Sequence, residues 1–226
     1  MNWQDEGYLV SKRKFRENAN IINVFTKTYG KMNGIVYGGN SRKIRNFLQV
    51  SNKIYVFYNS KNDNKIGYFK TELVEPIAPK YFNDNKKTSA LLSATSLLNT
   101  LLPESQPYKN LFKSLSNFIE NLDQENWYFL YIFWELNLIK ELGYGIDLEE
   151  FKNHISDNEV NTTIKVDSLK YKIPNFLITK KINNSIANIS IRNSLGFTRT
   201  IMLNKFFLPN NIPFPKSRII FENYFN

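Results

Sequence analysis

The chain has 226 residues, 42% of them hydrophobic and 15% aromatic, and a net charge of +10. That length allows one large domain or two small ones with a real apolar core. The absence of cysteine excludes disulfides, thiolate zinc and thiol catalysis together and fits a reducing compartment. No stretch approaches the ~18–20 apolar residues of a membrane span, and MNWQDEGYLV has no basic region leading into an apolar one, so a cytoplasmic protein without a secretory signal is expected.

Residues 7–14, 19–26, 32–38, 46–58 and 66–77 are β-branched and aromatic runs separated by Gly, Asn, Asp and Lys, the pattern of short strands. Five strands with almost no helix-length segment between them predict a small barrel over residues 1–80. The OB-fold is the commonest five-stranded Greek-key barrel; an SH3-like barrel fits the pattern nearly as well. Pro76 and Pro79 then break the pattern. Residues 86–102, 108–122 and 126–143 carry apolar residues at helical spacing, and the third is apolar almost all round, as the buried centre of a bundle would be. Residues 150–190 are polar, with strand-like pieces TTIKV and NFLIT. Residues 197–208 and 217–224 read as two last helices. The expected fold class is α+β: an N-terminal five-stranded OB-fold barrel, then a helical-bundle domain over 81–226.

The first 58 residues hold ten basic and three acidic side chains, so most of the positive excess is local. Such a field favours a polyanion or an anionic membrane surface, although solubilising lysine accounts for charge alone equally well. Arg13, Lys14 and Arg16 flank the first turn, Lys27 and Lys31 flank Tyr29, and Arg42, Lys43 and Arg45 follow Gly38-Gly39. Inter-strand loops of a barrel gather at one end, so these nine residues are candidates for one DNA-binding patch. Aromatics among them (Phe15, Tyr29, Tyr37, Phe47, Tyr55) supply stacking faces for single strands. Tyr55 and Phe57, alternating on one strand, read as barrel filling. Catalysis has little to stand on: His154 is the lone histidine, Ser11, Ser41 and Ser93 have no base nearby, and no P-loop is present. A nuclease needs acidic metal ligands, of which this basic segment offers few.

GYLVSKRKFRENANIINVFTKTYGKMNGIVYGGNSRK (7–43) resembles the opening of the RecO family of recombinational repair mediators. The matches are Gly7, Glu17, Ile21, Phe25, Thr26, Gly30, Gly38, Gly39, Ser41 and Arg42. WELNLIKELGYGIDL (134–148) is similar to the family's F-E-L-x-L-L-x-x-L-G-Y-G-x-x-L. The resemblance implies an OB-fold followed by a helical domain. It implies binding of single- and double-stranded DNA, annealing of complementary strands, and work with RecR and the single-strand-binding protein to load RecA, at the nucleoid and without covalent catalysis or a cofactor. Two positions depart from the family. Many members carry a four-cysteine zinc module after the G-Y-G motif, where Phe151 stands here. An arginine before F-E-L, linked to docking the single-strand-binding protein's acidic tail, is Phe133 here, so that contact would rest on neighbours such as Lys109, Lys113 or Lys140. The rival reading is a barrel-plus-helix adaptor for a protein or an anionic membrane surface.

With no cysteine and one histidine, a tetrahedral structural zinc site cannot be assembled within one chain. Elemental analysis of the purified protein is expected to find far less than one zinc per chain; a stoichiometric, tightly held metal would overturn this.

Overall fold

The computed structural model describes residues 1–39, 41–60, 66–155, 160–166, 169–181 and 188–226, with backbone alone for Lys43 and Leu169. It opens with β1 (Asn2–Arg16), β2 (Ala19–Thr26) and β3 (Gly30–Tyr37), an antiparallel meander. There follow α1 (Arg42–Phe47), β4 (Lys53–Asn59), β5 (Tyr68–Glu75), α2 (Ile77–Lys80), α3 (Asn85–Leu101) and α4 (Lys109–Glu120). The strands close in the order β1-β2-β3-β5-β4. β4 returns antiparallel to β1, from Asn2↔Asn59 to Tyr8↔Lys53, while β5 meets β3 in parallel at Ile35↔Tyr68. This is the five-stranded Greek-key barrel of the OB-fold. Leu9, Ile22, Val24, Met32, Val36, Ile54, Val56 and Phe69 fill its interior.

Within the barrel strands, two details differ from the sequence expectation. The run 46–58 is not one strand: Ile44, Phe47 and Leu48 recur at helical spacing, and Ser41 caps α1 by accepting a hydrogen bond from the Ile44 amide at 3.4 Å. In β4 the inward residues are Ile54, Val56 and Tyr58. Tyr55 and Phe57 lie half-buried on the outer face, edge-to-face at 5.1 Å, and do not fill the barrel.

The barrel belongs to a compact unit formed by Met1–Lys113 and Pro215–Phe221. It reaches beyond residue 80 because α3 and the start of α4 pack on the strands. Asn23 Nδ2 donates to Asn99 Oδ1 at 2.7 Å, and the Phe112 ring lies 5.4 Å from Tyr8 and 5.5 Å from Phe25.

The second unit comprises Ser114–Phe214 and Glu222–Asn226. Its centre is α5 (Trp127–Ile139), which widens into a π-turn (Lys140–Tyr144) and is followed by a 3-10 turn (Leu148–His154). β6 (Asn161–Val166) and β7 (Leu169–Pro174) form a hairpin, followed by α6 (Asn175–Thr179) and α7 (Asn188–Met202); α8 (Lys216–Asn223) comes last in the chain, its residues up to Phe221 belonging to the first unit. NFLIT, expected as strand-like, is α6: Pro174 fixes the backbone at its start, and Phe176, Leu177 and Ile178 are buried in succession. The helix expected over 197–208 begins earlier, at Asn188. On α5, Trp134 stands 5.5 Å from Tyr131 and 6.5 Å from Phe118. Glu135 is fully buried and accepts hydrogen bonds from Tyr131 Oη at 2.7 Å and Thr198 Oγ1 at 2.6 Å. Leu142 is only half-buried, because the π-turn has rotated it off the Trp134–Leu138 face.

Trp134 is 1% exposed within this aromatic cluster. Trp134→Ala is expected to lower stability by about 3–5 kcal/mol, read by denaturant or thermal unfolding. An unchanged midpoint would mean that α5 presents this face elsewhere.

Candidate nucleic-acid interface

The nine basic and aromatic candidates do not converge on one patch. β2 runs between two groups. Arg13, Lys14 and Arg16 pair with Ile21, Asn20 and Ala19 at one end of it, while Lys27, Tyr29 and Lys31 surround the turn after Thr26 at the other. The seven steps of β2 from Ala19 to Thr26, at about 3.3 Å each, hold the groups roughly 20 Å apart.

At the β2–β3 turn the chain uses its candidates internally. The Tyr29 ring stacks on Trp3 at 4.2 Å and 21° and helps close that end of the barrel, so it is not an open stacking face. Lys31 is buried, and its ammonium donates to the Asn99 carbonyl at 2.8 Å. Burial lowers its pKa, opposed by the nearby Glu104 carboxylate. Lys27 stays exposed beside Glu6 at 3.9 Å, and Glu6 also pairs with Lys53 at 3.4 Å, so the local field is partly cancelled.

The other end is different. Beyond Ser11, β1 overhangs the barrel, and Lys12 through Arg16 are all exposed. Strand alternation places Lys12 and Lys14 on the face shared with Ile22, and Arg13 on the face shared with Ile21. α1 adds Arg42 and Arg45, both exposed; the Lys43 side chain lies outside the described residues. Lys12 joins the groups. Its ammonium donates to the Leu48 carbonyl at 2.7 Å, and its pKa is lowered by burial and then by the Arg45 guanidinium. Gly38 and Gly39 make this approach possible. Gly38 turns at φ +68°, its amide donating to the Asn18 carbonyl at 2.8 Å, and a Cβ on Gly39 would lie 2.5 Å from the Asn20 side-chain Nδ2. The glycines thus serve to dock α1 against the β1–β2 turn.

Exposed aromatics border this end. Phe15 is 43% exposed beneath the Arg16 guanidinium at 5.2 Å. Tyr37 and Tyr68, 53% and 43% exposed, stack on each other at 5.4 Å and 29° where β3 meets β5. Tyr68 was not among the sequence candidates; strand alternation about Phe69 would have turned it outward. Arginines and lysines beside exposed rings, on an OB barrel, can hold phosphates and stack bases.

Of the partner candidates, Lys109 and Lys113 lie exposed one turn apart on α4 in the barrel unit. Phe133 and Lys140 belong to the second unit and share a cleft of about 720 Å³ with Leu136, Ile139, Leu177 and Ile201.

A family model described as "Recombination protein O N terminal" matches residues 1–77, and one described as "Recombination protein O C terminal" matches residues 83–152. The chain belongs to the RecO family. A DNA repair protein RecO of Wolbachia sp. subsp. Drosophila simulans is 27% identical over 96% of this chain and 98% of that protein. Those of Cereibacter sphaeroides and Ehrlichia chaffeensis are 34% and 33% identical over 66% of this chain, the alignments spanning 62% and 61% of those proteins. The match to the C-terminal family model ends at residue 152, so the β6–β7 hairpin and α7 lie past it, although the Wolbachia alignment covers 96% of this chain.

The zinc module carried by many RecO proteins does not fit this chain. There is no cysteine, and among the described residues no group of three or more histidines or carboxylates could hold a metal. The described residues of the region are joined by packing and hydrogen bonds. Ile164 and Ile173 of the hairpin are buried, Thr162 Oγ1 donates to Asn175 Oδ1 at 2.6 Å, and Phe176 meets Phe129 edge-on at 5.0 Å. Residues 156–159, 167–168 and 182–187 of the polar insert lie outside the described residues. Among the described residues no helix is long and apolar enough to cross a membrane.

Lys31 and the β1 cations should separate in experiment. Lys31→Met removes a charge-assisted hydrogen bond and leaves the Asn99 carbonyl without it, which is expected to cost about 1–3 kcal/mol of stability while oligonucleotide affinity stays unchanged. A stable variant with weakened binding would return Lys31 to the DNA surface.

Proposed function

We propose that this RecO-family chain is a non-enzymatic mediator of DNA repair and recombination. In this reading it binds single- and double-stranded DNA, anneals complementary strands and helps RecR load RecA onto DNA coated with single-strand-binding protein. The observation that carries the proposal is the basic overhang of β1 joined to α1 beside Phe15 and the Tyr37–Tyr68 pair. Arg13, Lys14, Arg16, Arg42 and Arg45 would neutralise backbone phosphates, releasing counterions and reducing repulsion between two strands. Phosphate contacts carry no sequence information, as annealing of arbitrary strands requires. The exposed rings would hold bases unstacked from one another and ready to pair.

The single-strand-binding protein's acidic tail would dock in the cleft holding Phe133 and Lys140. That cleft combines apolar walls with Lys140 and Lys180; the carboxylates of Asp147 and Glu149 also line it, Glu149 pairing with Lys180 at 2.7 Å. The Phe133 ring would take the role of an apolar anchor where other members place an arginine. Lys109 and Lys113 are further candidates for acidic partners.

The test is annealing of complementary oligonucleotides coated with single-strand-binding protein. Acceleration by the chain is expected. No acceleration, with binding to an anionic vesicle or a protein partner in its place, would favour the adaptor reading. Replacing Arg13, Lys14 and Arg16 by Ala should flatten the slope of log affinity against log salt by about two units on single strands, at about 0.7 per phosphate. Folding should change little, because the three side chains are exposed. An unchanged slope in a folded variant would move the DNA surface off the barrel.

A further inference from the structure

The geometry points to a second nucleic-acid site, in the cleft between β7 and α7, built to take the phosphate backbone of a strand. This inference rests on the DNA-binding reading above. The cleft, about 490 Å³, is lined by Lys170 and Lys172 of β7 and by Arg192, Gly196 and Arg199 of α7. Four independent features single it out.

The first is the balance of charge among the described residues. Glu222 is the one carboxylate among the described lining residues, and it is already paired with Arg199 at 3.5 Å. Among the described residues, Lys170, Lys172 and Arg192 have no carboxylate within ion-pairing distance.

The second is a like-charge pair. Lys165 of β6 stands directly opposite Lys170 of β7 in the hairpin register. Like charges in that position destabilise a strand pair. With Thr163 and Lys172 they form the exposed face of the hairpin, while Thr162, Ile164 and Ile173 are buried behind. A bound polyanion would relieve the repulsion between them.

The third is Gly196. It sits in the middle of the fifteen-residue α7, where glycine is a poorer helix former than alanine. A Cβ added there would meet nothing within 4 Å, and the residue has no positive φ. Neither packing nor backbone conformation therefore demands glycine. What it does is leave the helix backbone bare on the floor of the cleft, as a closely approaching ligand requires.

The fourth is an unused donor. The Arg199 Nε is buried with no acceptor among the described residues.

Asn193, Thr200 and Asn204 add polar groups to the walls, and the Tyr171 and Phe197 rings, edge-on at 5.3 Å, line it between them. The polar groups and the cations together favour a phosphodiester. The cations also continue along the hairpin face as a track, matching a chain of phosphates more than a single anion. A protein that pairs two strands must hold both. The barrel would take one, and this cleft the other.

The experiment compares full-length wild type, the Lys170→Ala/Lys172→Ala/Arg192→Ala variant, the Arg13→Ala/Lys14→Ala/Arg16→Ala variant and Gly196→Ala. The probe is a fluorescent single-stranded oligonucleotide across a salt series, with melting temperatures in parallel. The cleft variant is expected to stay folded and to flatten the salt slope by about two units, for three phosphates at about 0.7 each. Gly196→Ala is expected to raise the melting temperature and yet weaken binding, a combination that a purely structural role would not produce. A folded cleft variant with wild-type slope, or a Gly196→Ala protein that binds as wild type does, would overturn the inference while leaving the barrel reading in place. Wild type that binds no oligonucleotide would overturn both. A cleft variant that loses affinity for a polyglutamate peptide but not for DNA would make the occupant an acidic protein segment and overturn the assignment.

Discussion

Closing a barrel makes every strand serve two neighbours, and β1 meets that demand by taking its partners one after the other along its length. Its first half, Asn2–Tyr8, pairs with β4, and Gly7–Arg16 pairs with β2. The two ladders overlap only at Gly7 and Tyr8, where β1 passes from one partner to the other. A Cβ at Gly7 would lie 2.6 Å from the Phe25 carbonyl oxygen, so the crossing is too tight for any other residue. Register shifts after Leu9 and after Lys14 then bend the strand away. Everything beyond depends on that bend. It frees the end of β1 to project its cations, and it makes room for the Leu48 and Asn52 carbonyls to receive the Lys12 ammonium and the Leu9 amide.

The barrel was legible in the sequence because apolar and polar residues alternate over runs bounded by turn formers, and the RecO-like motifs lie where that pattern is clearest. α1 escaped notice because six residues hold less than two turns, and Phe47 and Leu48 merge into the next apolar run. NFLIT was misread for the same reason in reverse: three consecutive apolar residues carry no period, and the preceding proline was the only cue. The candidate site was half legible. Charge could be counted along the chain, but its placement could not. A lysine with a long apolar stem fits a surface or a crevice equally, and only packing draws Lys31 inward while leaving Arg16 outside. Tyr29 and Tyr37 both border a glycine turn, yet one is covered by Trp3 and the other is open.

In the second unit, buried polar groups fix geometry where apolar packing alone would allow sliding. Glu135 is held between the Tyr131 hydroxyl on its own helix and the Thr198 hydroxyl on α7. Leucine neighbours can slip by a fraction of a turn at little cost. A carboxylate that must meet two hydroxyls cannot, so α5 and α7 have one register. This locks the face of α7 that carries Arg192, Gly196 and Arg199 relative to the rest of the unit. The residue that aligns the helix pair is part of the W-E-L segment by which the family is recognised.

The order of strands around the barrel also sets the order in which it can form. β1, β2 and β3 are joined by tight turns and pair as neighbours, so their contacts are local and quick to find. The last closure is not local. Asn2 must meet Asn59, and Ile35 must meet Tyr68 in parallel, each across a long stretch of chain whose loop entropy is spent before the contact repays it. During synthesis the outer edge of β1 therefore waits unpaired until β4 has emerged, and the apolar faces of Val24 and Val36 wait with it for the Phe69 ring. The interval ends only when β5 docks, so a chain of which β1 to β3 have emerged without β4 and β5 is an open, sticky half-barrel.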